Sequence, residues 1–332
     1  MDKRVGWIDV AKGVAILLVC AGHTKLAQIG ILNSWISSFH MAFFFFIAGY
    51  CFKPERYKTY GDYALRKIKA LGYPYVMLCL VVAALGFLLM PGRSLSQAAT
   101  SAFLPYAGCH VIGFWFVRVL FLVELAYAIR KSFAFQNILA VVSLAAIVLA
   151  GFGFRFLEPE CIRPTTVLSA LFFYHCGALL GRHGQRFVML RTGWCAPVAV
   201  VFVVLQVGVL WIAGWPQFSF GVSLMQGRPL VFVAAAIAGT LSLLSLSKCL
   251  DAIPVVRTAF AYLGRNSLCL LAVHPICGQA RASWVATWPW MGSALSYVVE
   301  LAVIAVCMWL LSGPLKFIAR WPWGRSAAVA HN

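Results

Sequence analysis

The sequence predicts an all-α, polytopic membrane protein on three observations: its composition, its long apolar runs, and the placement of its positive charges. Of the 332 residues, 62% are hydrophobic and only 11% are charged. Ordinary soluble domains carry about 25% charged residues, so this chain has too few to cover a water-facing surface. A soluble enzyme, a disordered chain and a disulfide scaffold therefore fit poorly.

Apolar runs long enough to cross a bilayer recur along the whole chain. A spanning helix needs about 20 largely apolar residues, and we expect about ten such helices, with an error of about one. No internal repeat and no long linker divides the chain, so residues 1–332 are expected to form a single integral-membrane domain. The expected spans lie near residues 8–28, 35–52, 72–90, 111–129, 136–152, 166–181, 194–213, 229–247, 266–281 and 292–313.

The positive charges predict the orientation. The chain has 27 Lys and Arg residues against nine Asp and Glu, a net charge of +18. They lie in short loops rather than on one polar domain, so nucleic acid is not an expected partner. With the N-terminus inside, the inner segments hold 19 of the 27 cations and the outer segments six, the bias expected of cytoplasmic loops. Both termini are therefore predicted to be cytoplasmic, with a short basic tail at 316–332.

The eleven cysteines do not indicate a metal site, because they include no CxxC pair and no metal-ligand spacing. Most lie inside apolar runs, where cysteine behaves as a small hydrophobic residue. A disulfide between Cys109 and Cys161, which both fall in predicted outer loops, is left open.

Ionisable side chains inside the predicted spans are the candidate functional residues, since each is costly to place in hydrocarbon. The first span holds Asp9, Lys12 and His23. Lys12 and His23 are eleven residues apart, so they point to roughly the same side of a helix about 16 Å apart along its axis. Asp9 and Lys12 are helical neighbours, and a neutralising pair is as good an interpretation of Asp9 as a catalytic role. His40, at similar depth in the second span, can converge with His23 on one cavity.

Other charged groups allow two interpretations. Arg118 and Glu124 in the fourth span are six residues apart and do not share a helical face, and Glu300 in the tenth span needs a partner on another helix. Structural pairing explains each as well as catalysis does. The cationic loop 53–69 is explained better by topology and attraction to anionic membrane lipids than by contact with a phosphate-bearing substrate.

Four segments together resemble one known family. WIDVAKGVAILLVCAGH followed by SFHMAFFFFIAGY resembles the opening of the bacterial multi-pass acyltransferases that acylate sugar hydroxyls, in the fucose 4-O-acetylase-like branch. FWFVRVLFLVEL resembles that family's Trp-Phe-Leu block, and LGRNSLCLLAVHP resembles its Gly-x-Asn-Ser stretch before a histidine. The opening pattern is specific and the later ones are weak individually. The similarity runs from about residue 4 to residue 315.

The resemblance implies an O-acyltransferase, in the simplest case an O-acetyltransferase of the bacterial inner membrane, with no bound cofactor. The donor would be acetyl-CoA or another acyl-CoA from the cytoplasm, and the acceptor a cell-surface carbohydrate or lipid-linked sugar. His23 would be the general base or a transient acyl carrier, with His40 and His274 orienting substrate or stabilising charge.

The resemblance also implies roles in substrate binding. Lys12 stands where many relatives have Arg, and together with Arg118 it is expected to contact the donor. Lysine lacks the two parallel N–H donors of arginine. Lys12 is therefore expected to attract a phosphate as a point charge rather than to bind it through two hydrogen bonds. Relatives often have Pro where this chain has Ala42 after the His-Met pair. The residues expected to position the acceptor are Asp9, Asn266, Ser267 and Glu300.

Two other functions compete with an enzyme. A transporter or glycolipid flippase also has about ten spans, buried charges and broken segments, and it would move its substrate without consuming acyl-CoA. A structural membrane scaffold would not explain why Lys12, His23, His40, Arg118 and His274 lie in the bilayer.

Overall fold

A computed structural model describes residues 6–23, 29–89, 94–103, 115–153, 164–183, 192–220 and 228–271, together with scattered positions between 302 and 318. Within these ranges the fold is a bundle of α-helices, as the sequence predicts. The helices are α1 (Gly6–Gly22), α2 (Gly30–Tyr50), α3 (Tyr60–Lys67), α4 (Tyr73–Leu89), α5 (Leu95–Phe103), α6 (Trp115–Ala128), α7 (Phe133–Gly151), α8 (Pro164–His183), α9 (Thr192–Ile212), α10 (Pro229–Asp251) and α11 (Pro254–Arg265).

Six helical segments in the described ranges are long and apolar enough to cross a membrane. The segments are Gly30–Tyr50, Tyr60–Ala84, Phe133–Gly151, Pro164–His183, Thr192–Ile212 and Pro229–Asp251. Their alternation of apolar helix and short connection is what the composition predicts for a polytopic membrane protein.

Three elements differ from the expected spans. α1 ends at Gly22, so His23 lies in a turn rather than inside a helix that runs to residue 28. The third span begins earlier than expected, because α3 continues into α4 through a π-helical turn, Ile68–Gly72. Thr59 and Asp62 form a capping box that begins α3 at this position. The amphipathic α11 (Pro254–Arg265) precedes the ninth expected span, and no apolar run predicted it.

Glycines allow two helix pairs to pack with their backbones in close contact. On α2 and α8, the Cα atoms of Gly49, Gly177 and Gly181 face backbone carbonyl groups of the opposite helix. On α1 and α11, Gly13 faces the carbonyl of Phe260, and Gly264 faces the carbonyl of Asp9. Small residues favour this packing in membranes, where dispersion and close fit replace the hydrophobic driving force.

The segment after α9 turns back into the bundle, and we call residues 213–220 the re-entrant segment. It begins with positive φ angles at Gly214 (72°) and Trp215 (54°). Ser34 on α2 donates a hydrogen bond to the Pro216 carbonyl at 2.7 Å, and further along the segment the ring of Phe220 is buried in the core. Irregular backbone at membrane depth is tolerated only where protein buries it or it lines a cavity. The sequence analysis did not predict this segment.

Candidate active site

The C-terminal end of α1 packs against the first half of α2, and this contact brings two histidines near each other. Gly22, the last residue of α1, faces Ile36 of α2. His23 follows in the next turn and is exposed, whereas His40 lies one helical turn further along α2 and is half-buried. The two imidazoles are near enough to interact electrostatically. Two candidate catalytic residues from different helices therefore share one neighbourhood.

A backbone contact fixes the protonation pattern of the His40 ring. Nδ1 of His40 lies 2.7 Å from the carbonyl oxygen of Ile36. Because a carbonyl oxygen can only accept, Nδ1 carries the proton and donates it to this bond. In the neutral ring Nε2 then keeps a lone pair. His40 is thus held as the tautomer that can accept a proton or a hydrogen bond at Nε2.

Lys12 and Asp9 lie in the N-terminal half of α1. Asp9 is buried at 6% exposure, while Lys12 is half-buried. The carbonyl oxygen of Asp9 packs against Gly264 of α11, so this part of α1 is covered by the amphipathic helix. Helix geometry puts Lys12 about 15 Å along the axis from Gly22, the last residue of α1, and His23 lies in the turn that follows.

The polar pair after α11 lies where the chain changes direction. Asn266 is buried at 4% exposure, and its Nδ2 donates to the Tyr262 carbonyl at 2.9 Å. Its Oδ1 is buried without a hydrogen-bond partner. Ser267 is half-buried and begins the next helical residues. Asn266 therefore follows the last residue of α11, and its Oδ1 atom can still accept a hydrogen bond.

Arg118 lies on α6 next to two polar side chains of α4. Its charge is within electrostatic range of the Tyr75 hydroxyl and the Cys79 thiol, which are four residues apart on one face of α4. The structure therefore places Arg118 against α4. This helix continues from α3, which carries the cationic residues.

Glu124 forms an ion pair that the sequence analysis did not identify. Lys67 Nζ lies 2.7 Å from Glu124 Oε2, and both side chains are largely buried. The hydroxyl groups of Tyr63 and Tyr174 are also buried near this carboxylate and near each other. The spacing of four residues between Tyr63 and Lys67 could have indicated a shared face, but both fall in the segment that was assigned to a loop.

A second buried polar pair joins α6 to α8. The Tyr127 hydroxyl lies 3.0 Å from Nδ1 of His175. Tyr127 is 1% exposed and His175 is 5% exposed. The sequence analysis gave His175 no role, because its partner is on another helix and no spacing within the chain connects them.

A basic pocket opens at the start of α3. Its volume is about 420 Å³, and four cationic side chains and one carboxylate line it. The carboxylate, Asp62, accepts the Thr59 backbone N–H at 3.2 Å and so serves the helix cap. The Arg66 guanidinium lies over the Tyr57 ring, 5.6 Å from its centroid. The lining residues are Arg56, Tyr57, Lys58, Asp62, Leu65, Arg66 and Lys69.

The remaining predicted site residues, His274 and Glu300, lie outside the described residues, as do Cys109 and Cys161. Among the residues that the structure does describe, no group of three or more His, Cys, Asp or Glu side chains could hold a metal ion.

The comparison with known families identifies the class of protein. The sequence profile described as an acyltransferase domain matches residues 5–313, nearly the whole chain. The chain therefore belongs to this family of membrane acyltransferases. No curated protein and no solved structure matches it.

Proposed function

We propose that the protein is an O-acetyltransferase of the bacterial inner membrane, in the fucose 4-O-acetylase-like branch, with about ten spans and both termini in the cytoplasm. It moves an acetyl group from acetyl-CoA to a hydroxyl of a cell-surface or lipid-linked sugar. The observation that carries this proposal is the convergence of His23 and His40, with the His40 ring held as the Nδ1–H tautomer. Membership in the acyltransferase family supports it.

The chemistry needs one group that takes a proton and others that stabilise negative charge. His23 takes the proton of the acceptor hydroxyl as its oxygen bonds to the thioester carbonyl carbon. The C–S bond of the tetrahedral intermediate then breaks, and the proton passes to the departing thiolate. His40 Nε2 accepts a hydrogen bond from the acceptor or from His23 and so orients the reacting groups. The alternative, a transient acyl group on His23, uses the same residues in two steps.

The donor would approach from the cytoplasmic side. The basic pocket offers four cations to the phosphates of acetyl-CoA, and the half-buried Lys12 is a further proposed contact on α1. The roughly 16 Å between Lys12 and His23 suits an extended pantetheine arm along α1. Arg118 is the second proposed donor contact. Anionic lipid headgroups remain the competing ligand for the basic pocket.

Four residues are proposed to position the acceptor: Asp9, Asn266, Ser267 and Glu300. Asn266 is supported by its buried and unused Oδ1, which can accept a hydrogen bond from a substrate hydroxyl. His274, seven positions after Ser267 in the sequence, is proposed to assist His23 and His40.

Purified protein in detergent, incubated with labelled acetyl-CoA and a panel of lipid-linked sugars, tests the function. We expect label on at least one sugar with the wild type and a loss of at least about 100-fold in rate with His23→Ala. His183→Ala is the matched control, because His183 is exposed at the end of α8, far along the chain from both catalytic helices. Wild-type turnover by His23→Ala would refute the base, and sugar movement without acetyl-CoA consumption would favour a transporter.

A further inference from the structure

The helices α9 and α10 pack side by side, and two contacts between them fix their register. A methyl group added to Gly239 of α10 would lie 2.6 Å from Nε2 of Gln206, so the Gln206 side chain lies directly against this part of α10. Further along α10, the Cys249 thiol donates to the Thr192 carbonyl at 3.9 Å. Residue numbers fall on α9 as they rise on α10, so the two helices run antiparallel.

This register brings two cysteines to the same level of the pair. Cys195 lies eleven positions before Gln206, and Cys249 lies ten positions after Gly239, which are about 16 Å and 15 Å along the two axes. The Thr192 carbonyl points along α9 toward the turn that holds Cys195, because helical carbonyls accept from the residue four positions on. The Cys249 and Cys195 thiols are within hydrogen-bonding reach of each other.

The two thiols differ in how well a reagent can reach them. Cys195 belongs to the buried face of α9 and is fully buried. Cys249 is half-buried and lies two residues before the end of α10, next to the half-buried Lys248. An accessible thiol beside a second thiol that can resolve it is the arrangement of a redox-sensing pair.

Metal binding would be the other use of two neighbouring thiols. A structural zinc ion takes four protein ligands, from Cys, His and carboxylate side chains. Within the part of the chain that the structure describes, no group of three or more such side chains could hold a metal ion. The geometry of this pair therefore favours oxidation over metal binding.

We propose that Cys195 and Cys249 form a disulfide when a low-molecular-weight disulfide, R–S–S–R, reaches the end of α10. The Cys249 thiolate attacks one sulfur of the reagent, which forms a mixed disulfide and releases the first R–SH. The Cys195 sulfur then attacks the Cys249 sulfur, and the second R–SH leaves. The two protein thiols lose their two protons and two electrons, and the two released R–SH molecules carry them.

The disulfide would also act on α1, because the same end of α10 packs against the first turns of that helix. The Asp251 carboxylate faces Gly6, and Lys248 Nζ lies 6.0 Å from the centroid of the Trp7 ring. Bonded sulfurs lie about 2.05 Å apart, closer than hydrogen-bonded thiols. Oxidation therefore fixes the end of α10 to α9 and locks the surface on which the start of α1 rests.

Peptide mapping of oxidised wild-type protein in detergent tests the proposal. The protein is treated with bis(2-hydroxyethyl) disulfide, its remaining thiols are blocked with N-ethylmaleimide, and it is digested without reduction for mass spectrometry. We expect a cross-linked peptide pair that contains Cys195 and Cys249. We also expect the melting temperature to rise by about 5 °C or more, because the bond closes a long loop in the unfolded chain, and dithiothreitol should reverse the rise.

Three variants separate the pair from the other thiols. Cys249→Ser should abolish both the cross-link and the rise in melting temperature. Cys195→Ser should keep the reagent on Cys249 as a mixed disulfide, because the resolving thiol is absent. Cys51→Ser is the matched control, since Cys51 is exposed at the end of α2, and it should leave the cross-link unchanged.

Several outcomes would overturn the proposal. A mixed disulfide that persists on Cys249 in the wild type would show that Cys195 is out of reach. Modification of Cys51 without any reaction at Cys249 would show that the end of α10 is closed to reagents. An equal rise in melting temperature for Cys249→Ser would assign the rise to another thiol. Because the assay uses no substrate, none of these outcomes bears on the proposed acetyl transfer.

Discussion

The contact between α2 and α8 predicts a large difference between glycines that look alike in the sequence. A methyl group at Gly181 would place its carbon 2.6 Å from the Tyr50 carbonyl oxygen, whereas ordinary contact begins at 3.4 Å. Gly181→Ala therefore requires the helices to separate by about 0.8 Å. A gap of that size forfeits a quarter to a half of each dispersion contact across it. The expected loss in free energy of unfolding is about 1–3 kcal/mol.

Gly177→Ala is expected to lose more stability than Gly181→Ala, and Gly208→Ala less. A methyl group at Gly177 would overlap the Phe46 carbonyl, so Gly177→Ala should lie at or above the upper end of that range. Nothing lies within 4 Å of the corresponding position at Gly208 on α9. Gly208→Ala should be neutral, or stabilising by up to about 1 kcal/mol, because alanine favours helix more than glycine does.

Thermal unfolding in detergent measures all three variants. Cys20, Cys79, Cys195 and Cys269 are buried thiols, so a thiol-reactive fluorophore reports their exposure on heating. The variants should lose stability in the order Gly208→Ala, Gly181→Ala, Gly177→Ala. Coincident transitions for Gly181→Ala and Gly208→Ala would refute the close backbone contact.

Three other predictions concern side chains of α3, α6 and α8. Lys67→Met alone should destabilise the protein by about 3 kcal/mol because it leaves Glu124 buried and unpaired, while Lys67→Met with Glu124→Leu should recover most of that loss; a double-mutant cycle in the same melting assay checks the coupling. Tyr127→Phe should cost about 1–3 kcal/mol by leaving His175 Nδ1 without its partner, and the paired change with His175→Phe should cost less than the sum. Arg66→Glu should raise the KM for acetyl-CoA about tenfold or more and leave the KM for dephospho-CoA thioesters less affected; equal effects on both would assign the pocket to lipid instead.

The sequence alone was enough to predict the class of fold and the two helices, α1 and α2, beside which His23 and His40 lie. Composition and run length predict a helical membrane protein, because the bilayer fixes both the length and the polarity of a span. Helix geometry and antiparallel packing predicted that His23 and His40 lie at similar depth, and the structure ends α1 one residue before His23. The acyltransferase family follows from the opening motif and is confirmed by the match over residues 5–313.

What the sequence could not predict depends on contacts between distant segments. Glu124 and Lys67 are 57 positions apart, and Tyr127 and His175 are 48 apart, so no local period connects them. The re-entrant segment contains no long apolar run, and its hydrogen bonds with α2 and its buried Phe220 ring show that it enters the bundle. The helix α11 was missed for a similar reason, because a short amphipathic helix lacks the apolar length by which spans are recognised.

The packing of α11 on α1 also sets an order of assembly. Gly13 and the Asp9 carbonyl find their partners only in residues 260 and 264, which leave the ribosome after some 250 further residues. At about 5–20 residues per second, the helix that precedes His23 waits tens of seconds for the segment that completes its surroundings. The packing surface of α1 is therefore completed only when most of the polypeptide has been inserted.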